Sequence, residues 1–192
     1  WMPRKLERQI EALELAVDER VCHTDEIWIR NGRRVNPRRI HRKAGGWIFR
    51  RCLPRCLMSP SSVVIHRDVF AEVGVFREDL PACEDYDLWL RLCLRYPVLY
   101  VDEPLVTKYG GHEDQLSRQP GLDRYRIEAL RTLLERSDLC ADDRRAVLET
   151  LREKLGVYFA GVRKRGRIEE VERLGELRRA VAGELGLSGS SA

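Results

Sequence analysis

The stretch CEDYDLWLRLCLRYP, residues 83–97, places three carboxylates at the start of a strongly apolar segment. Apolar side chains then recur every three or four residues until a Tyr-Pro pair, which predicts a helix over residues 84–96. At about 100° per residue, Glu84 and Asp87 share a polar face with the two arginines that follow them. Asp85 instead falls on the apolar stripe, so its carboxylate is predicted to face the protein interior.

Two interpretations of Asp85 stay open at this point. As a helix cap it would satisfy free backbone amides and the positive end of the helix dipole, which is common for acids in a first turn. As a functional group it would lie in a cleft beside an indole, where a carboxylate can serve as a general base. The choice depends on what precedes and follows the helix.

The composition is that of a chain with a buried core, since 43% of the 192 residues are hydrophobic and 34% are charged. The apolar runs are too short to cross a bilayer, and the charged opening WMPRKLERQ does not match a signal peptide. The six cysteines lack paired metal-ligand spacing and are predicted to be reduced thiols. These features predict a cytoplasmic protein.

Two stretches concentrate arginine, residues 30–43 and 163–167, although the net charge is only +4. Such clusters bind nucleic acid, anionic lipid or sugar diphosphates, or they form a solvated surface. No nucleic-acid motif and no interleaved aromatic residues accompany them, so no nucleic-acid partner is predicted.

The first part of the chain alternates between helix and strand signals. Residues 3–15 have helical periodicity with Leu6 and Ile10 on the apolar face, and the dipeptide at 31–32, Asn-Gly, predicts a tight hairpin turn. Residues 98–109 are rich in β-branched residues and are predicted to form a pair of strands separated at a proline.

From Leu122 onward, leucine and valine recur at helical spacing and predict successive amphipathic helices. The predicted organisation is an α/β body over residues 1–118, a helical extension over 119–185 and a disordered polar tail over 186–192.

Several motifs of the body occur in a familiar order. They are the W-x-P-x-K-L-x-x-Q opening at 1–9, the G-x-F at 74–76, the E-D-Y-D-L-W-L-R block at 84–91 and the H-x-x-Q-x-S loop at 112–117. Together they resemble the C-terminal half of bacterial family-two glycosyltransferases of the GT-A fold. The resemblance implies a partial GT-A sheet with helices, Rossmann-like as in nucleotide-diphospho-sugar transferases, before an all-α C-terminal extension.

The resemblance implies an enzyme that transfers a sugar, hexosyl-like, from a nucleotide-sugar donor to an acceptor hydroxyl with inversion. Asp85 would be the general base, and Glu84 would orient the loop or the acceptor. Trp89 would wall the acceptor pocket by stacking on a sugar, Asp87 would also bind substrate, and Lys108 would meet phosphate. The acceptor would be a glycan or a lipid-linked glycan in bacterial cell-surface polysaccharide or lipopolysaccharide synthesis.

In the family, nucleotide-binding strands and a metal-binding D-x-D precede the opening helix, whereas this sequence begins at that helix. The resemblance therefore predicts a fragment that alone binds donor poorly and is inactive, with a divalent metal, Mg or Mn, requiring the other half. His112 is the candidate metal or diphosphate contact within the sequence. Residues 39–49 are a candidate loop over the acceptor site.

A non-enzymatic alternative also fits the sequence. In it, the chain is a catalytically incompetent fragment that acts as an interaction module or binds a membrane surface. The basic stretch VRKRGR, residues 162–167, suits contact with anionic lipid and predicts peripheral association with the inner face of the cell membrane.

Overall fold

The structure, a computed structural model, describes residues 1–111 and 121–186. It divides into two units, Trp1–Gln119 and Pro120–Ala192. The first combines a four-stranded mixed sheet with helices, and the second is built from helices. This confirms the predicted α/β class with an all-α C-terminal extension, and the sheet is consistent with part of a GT-A fold.

Helices and strands alternate through the first unit. Its elements are α1 (Lys5–Leu15), β1 (Val21–Arg30), β2 (Arg33–Val35), α2 (Phe49–Cys52), β3 (Val63–Ile65), α3 (Val69–Val73), α4 (Glu84–Arg95) and β4 (Leu99–Gly110). Single 3-10 turns cover Arg39–His41 and Pro60–Ser62.

Strand β1 is the centre of the sheet. Along one edge it pairs in parallel with β4, and along the other it pairs antiparallel with β3 and then with β2. Asn31 and Gly32 join β1 to β2 with φ angles of 50° and 74°, as a two-residue turn with both central residues at positive φ requires. The predicted hairpin is confirmed, because Arg30 pairs directly with Arg33.

Strand β4 corrects one expectation, because it is continuous where two strands were predicted. Its ladder with β1 shifts register on both sides of Asp25, which lies opposite Pro104. A proline lacks the amide hydrogen that a regular ladder needs, and a bulge removes that need locally. The strand therefore passes through the proline without ending.

Helix α4 is the main helix of the core. Tyr86, Leu88, Trp89 and Leu92 are at most 1% exposed. The Tyr86 hydroxyl donates to the carbonyl of Leu53, and Trp89 Nε1 donates to that of Met58 at 3.1 Å. The side chains of α4 therefore fix the segment that follows α2.

Helix α1 forms as predicted but presents the opposite face to the protein. Lys5 and Gln9 are fully buried, whereas Leu6 and Ile10 are 48% and 45% exposed. Gln9 Nε2 donates to the carbonyls of Cys22 and Ser62, at 3.2 and 3.0 Å. The apolar face of α1 is therefore partly exposed, because hydrogen bonds to the sheet set the orientation of this helix.

The second unit contains α5 (Asp123–Leu134), α6 (Ala141–Lys164) and α7 (Ile168–Glu184). α6 packs against both of the other helices, and its buried residues include Leu151 and Leu155. The predicted amphipathic helices are confirmed. Within residues 1–111 and 121–186, no helix combines the length and apolar character needed to cross a membrane.

Candidate active site

A cavity of about 370 Å³ opens in the first unit and brings together residues far apart in the sequence. Its lining includes Trp28 from β1, Lys43 and Cys56 from the segments around α2, Asp85 from the first turn of α4 and Lys108 from β4. The volume is within the range of small-molecule sites, about 300–1,000 Å³. The cavity therefore can hold one or two sugar-sized groups.

Asp85 reaches the cavity because α4 begins abruptly. Cys83 precedes the helix with φ 63°, in the left-handed region, and Glu84 is the first helical residue. The Asp85 carboxylate accepts hydrogen bonds from the amide of Tyr86 at 2.7 Å and from the thiol of Cys56 at 3.5 Å. These contacts hold a partly buried carboxylate at the cavity wall.

A buried ion pair lies at the cavity wall, to which it contributes Lys43. Lys43 Nζ is 3.3 Å from Glu26 Oε1 and donates to the carbonyl of Leu57 at 2.8 Å. Burial lowers the pKa of Lys43, and the Glu26 carboxylate only partly offsets this effect. Burial also acts to raise the pKa of Glu26, but Lys43 and hydrogen bonds from Ser59 and Trp28 outweigh it, so the pKa lies below its usual value.

The indole of Trp28 is held from three sides. Its Nε1 donates to Glu26 Oε2 at 2.9 Å, Lys108 Nζ lies 5.6 Å from the ring centroid, and the His41 ring lies 5.3 Å away. Lys108 Nζ also donates to Ser59 Oγ at 3.1 Å. Because these contacts fix the ring, Trp28 offers a preformed apolar surface inside the cavity.

The surroundings of His41 are positively charged, as the pKa of this residue indicates. Burial lowers the pKa of its imidazole, and the positive charges of Arg55, Lys43, Lys108 and Arg38 lower it further. Each of these cations disfavours protonation of the ring, because protonation would add another positive charge nearby. The surroundings of His41 therefore favour a bound anion.

Two residues assigned to substrate binding lie in the core. Trp89 is 1% exposed, and its ring meets Phe76 edge to face at a centroid distance of 6.1 Å. Asp87 is 3% exposed, and its Oδ2 lies 2.7 Å from Nη2 of Arg91. The structure thus brings Asp85 and Lys108 together in the cavity, whereas Trp89 and Asp87 are not part of its lining.

The remaining predicted residues do not join the cavity within the described chain. Glu84 is partly exposed and is not part of its lining, and His112 lies outside the described residues. Across residues 1–111 and 121–186, no three His, Cys, Asp or Glu side chains are arranged to hold a metal ion. The described residues therefore do not fit a complete metal site.

Sequence reasoning missed Glu26, Trp28, His41, Lys43 and Cys56. His41 and Lys43 lie inside the stretch 39–49 that was expected to form a loop over the acceptor site, so a weak signal existed for them. Nothing local marks the other three, because only the fold brings them beside Asp85.

Residues 47–133 match the family described as Glycosyltransferase like family 2. This segment, here called the family-2 segment, is similar to the members of that family. The family-2 segment includes Asp85 and Lys108, whereas Trp28, His41 and Lys43 precede it.

Two bacterial relatives are similar to part of the chain. An uncharacterized glycosyltransferase of Rickettsia felis is 37% identical over 67 residues, and one of Rickettsia conorii is 36% identical over 67 residues. Each alignment covers 35% of this chain and 11% of the relative. The chain therefore matches only about a tenth of the length of these relatives.

Proposed function

We propose that the cavity beside Asp85 is the acceptor site of a glycosyltransferase that moves a sugar from a nucleotide-sugar donor to an acceptor hydroxyl with inversion. One observation carries the proposal: the Asp85 carboxylate lies on a cavity wall that also presents an indole ring and an ammonium group. The family of the segment supplies the reaction class. A glycan or a lipid-linked glycan is the proposed acceptor.

Asp85 acts as the general base in this proposal. As the acceptor oxygen attacks the anomeric carbon, its proton passes to the Asp85 carboxylate. A carbon–oxygen bond forms while the bond to the diphosphate breaks, and the diphosphate leaves with the electron pair. A single displacement of this kind inverts the anomeric centre. The amide of Tyr86 and the thiol of Cys56 keep the carboxylate in place during the transfer.

Trp28 takes the stacking role that the sequence analysis gave to Trp89. The C–H face of a sugar ring packs on an indole, and this ring is fixed on the cavity wall by Glu26 and Lys108. Lys108 offers an ammonium group to a phosphate or another anion of the substrate. Orientation of the acceptor thus comes from the sheet, and the base comes from α4.

The pathway that we propose is bacterial cell-surface polysaccharide or lipopolysaccharide synthesis, at the cytoplasmic side of the membrane. The family resemblance and the bacterial source of the relatives support this part of the proposal.

Replacing Asp85 by asparagine tests the proposal. Sugar transfer is measured in the longest natural form of the protein that contains this sequence, with a panel of labelled nucleotide-sugars and a bacterial glycolipid extract as acceptor. Loss of a general base lowers the rate about 10²- to 10⁴-fold. Asp68→Asn, which removes an exposed carboxylate of the same unit, is the control and should leave the rate unchanged. Equal rates for Asp85→Asn and the unaltered protein would overturn the proposal.

A further inference from the structure

A second cavity, of about 600 Å³, lies in the same unit and has no role in the reaction described above. One part of its lining is a group of four arginines from the chain between β2 and the end of α2, here called the arginine cluster: Arg38, Arg39, Arg42 and Arg51. The other part comes from the sheet and consists of Asp25, Tyr100 and Asp102. The cavity therefore combines concentrated guanidinium groups with two carboxylates.

The arginine cluster outnumbers the acidic groups of its cavity, since four guanidinium groups line it with the two carboxylates of Asp25 and Asp102. Over residues 1–111 and 121–186, none of its guanidinium groups forms an ion pair with a carboxylate. Elsewhere in the unit, Arg77 and Arg91 each pair with an aspartate. Four cations beside one cavity repel one another, and an anion bound among them removes that repulsion.

The loop that carries the cluster is anchored to the sheet. Gly46 exchanges two backbone hydrogen bonds with Val98, at 2.8 and 3.0 Å. A side chain at Gly45 would approach the Val98 carbonyl to 2.8 Å, so the loop lies as close to the strand as a backbone can. The imidazole Nε2 of His23 donates to the carbonyl of Ala44 at 2.9 Å. These contacts hold the loop in place before any ligand arrives, which lowers the cost of binding.

The arginines also interact with one another through the backbone. Arg51 Nη2 donates to the carbonyl of Arg42 at 3.1 Å, which ties the end of α2 to the loop. His41, whose imidazole is surrounded by positive charge, lines this cavity as well as the one beside Asp85. Positive potential therefore extends from one cavity to the other.

The carboxylates of the sheet narrow the class of ligand. The Tyr100 hydroxyl donates to Asp102 Oδ1 at 2.9 Å, which orients that carboxylate, and Asp25 lies on the neighbouring strand. Carboxylates accept hydrogen bonds from hydroxyl groups, and guanidinium groups bind phosphate in a bidentate manner. A ligand that satisfies both parts of the lining carries a phosphate and free hydroxyls.

We propose that the second cavity binds a phosphorylated polyol, with the arginine cluster on the phosphate and with Asp25 and Asp102 on the hydroxyls. The inference goes beyond the proposed transfer reaction and does not depend on Asp85. Its ligand is either a soluble phosphorylated polyol or a lipid headgroup of the same chemistry, such as that of phosphatidylglycerol.

Titration calorimetry on the full chain tests the proposal with inorganic phosphate, glycerol 3-phosphate and glycerol at constant ionic strength. Replacing Arg39 and Arg42 together by glutamine should weaken binding of both phosphates about 10- to 100-fold, as expected for lost charge-assisted hydrogen bonds. The control replaces Arg33 and Arg34 by glutamine. These two residues belong to the same basic stretch but not to the cavity, and this variant should bind as the unaltered protein does.

A separate variant tests the assignment of the ligand hydroxyls to the carboxylates. Asp102→Asn should reduce the preference for glycerol 3-phosphate over inorganic phosphate. All variants change exposed or partly exposed side chains, and circular dichroism confirms that they fold. Two outcomes would overturn the proposal. Either the Arg39/Arg42 and Arg33/Arg34 variants lose equal affinity for the phosphates, or titration with the phosphates gives no more heat than titration with chloride.

Co-sedimentation with vesicles distinguishes the two sources of ligand. Binding to vesicles that contain phosphatidylglycerol, but not to phosphatidylcholine alone, with competition by glycerol 3-phosphate, indicates the headgroup. Calorimetric binding without sedimentation indicates a soluble ligand. Sedimentation that the Arg39/Arg42 and Arg33/Arg34 pairs reduce equally would reveal a general basic surface and contradict a specific cavity.

Discussion

Asp87 is the residue for which the structure and the family resemblance disagree most sharply. Its carboxylate is 3% exposed and lies 2.7 and 3.0 Å from Nη2 and Nε of Arg91. Arg91 also donates to the carbonyls of Val73 and Val75, so one guanidinium joins α4 to the end of α3. Replacing Asp87 by asparagine would leave this guanidinium in the interior without its counter-charge.

The cost follows from the burial of the pair. Removing one member of a buried ion pair costs about 3–5 kcal/mol. Arg91 is 13% exposed and Arg77, whose Nη1 lies 3.8 Å from Asp87, is 25% exposed, so water recovers part of that cost. Asparagine also keeps one acceptor oxygen. We therefore expect Asp87→Asn to lower the free energy of unfolding of the first unit by about 2–4 kcal/mol.

Urea unfolding followed by tryptophan fluorescence measures this change. The four tryptophans, Trp1, Trp28, Trp47 and Trp89, all belong to the first unit, so the signal reports on that unit. With a slope of about 2 kcal/mol per molar urea, the midpoint should fall by about 1–2 M.

The matched control for this measurement is Glu7→Gln in α1. This substitution makes the same change from carboxylate to amide in a solvent-exposed pair with Arg4, and the midpoint should not move. An unchanged midpoint for Asp87→Asn, with weaker acceptor binding, would refute the structural role and restore the substrate-binding role.

Two further predictions concern stability. Burial lowers the pKa of His23 to about 4 from the usual 6.5, so the unfolded chain takes up the proton first. The free energy of unfolding should therefore fall by on the order of 3 kcal/mol as pH drops from about 6.5 to 4. His23→Gln should remove this part of the pH dependence, measured by urea titration at a series of pH values. An unaltered pH dependence in the variant would contradict the prediction. In the helical unit, Leu155 is fully buried, and Leu155→Ala should cost about 2–5 kcal/mol by circular dichroism. Val157→Ala, at a site 67% exposed, is the control, and equal effects of the two would refute the packing argument.

The local parts of the fold were predictable because local chemistry decides them. Asn31 and Gly32 take the positive φ angles that their hairpin needs, and Gly74 ends α3 with φ 79°. The orientation of α1 was not predictable from its own pattern, because Gln9 finds its hydrogen-bond acceptors on β1 and beside β3. In this short helix, hydrogen-bond acceptors distant in sequence decide which face is buried, and the amphipathic pattern does not.

The residues of the candidate site also fall into two groups, those predictable from the local sequence and those that only the fold brings together. The helical wheel of α4 was sufficient to separate Asp85 from the other acids, and the structure places it on the cavity wall. Glu26, Trp28 and Lys43 could not be predicted, because their proximity depends on the pairing of β1 with β4 and on the loop before α2. A helical wheel gives the direction of a side chain but not what covers it, so the wheel placed Asp87 on the polar face with Arg91 without predicting that the pair is buried.

The contrast between Asp85 and Asp87 explains how one helical turn can serve both fold and site. Among the described residues, Asp87 has two arginines as partners, whereas Asp85 accepts hydrogen bonds only from a backbone amide and from the thiol of Cys56. Neither donor to Asp85 carries a positive charge. Asp87 is committed to the ion pair that joins α3 and α4, whereas the Asp85 carboxylate lines the cavity, where the proposed role of general base requires it to be.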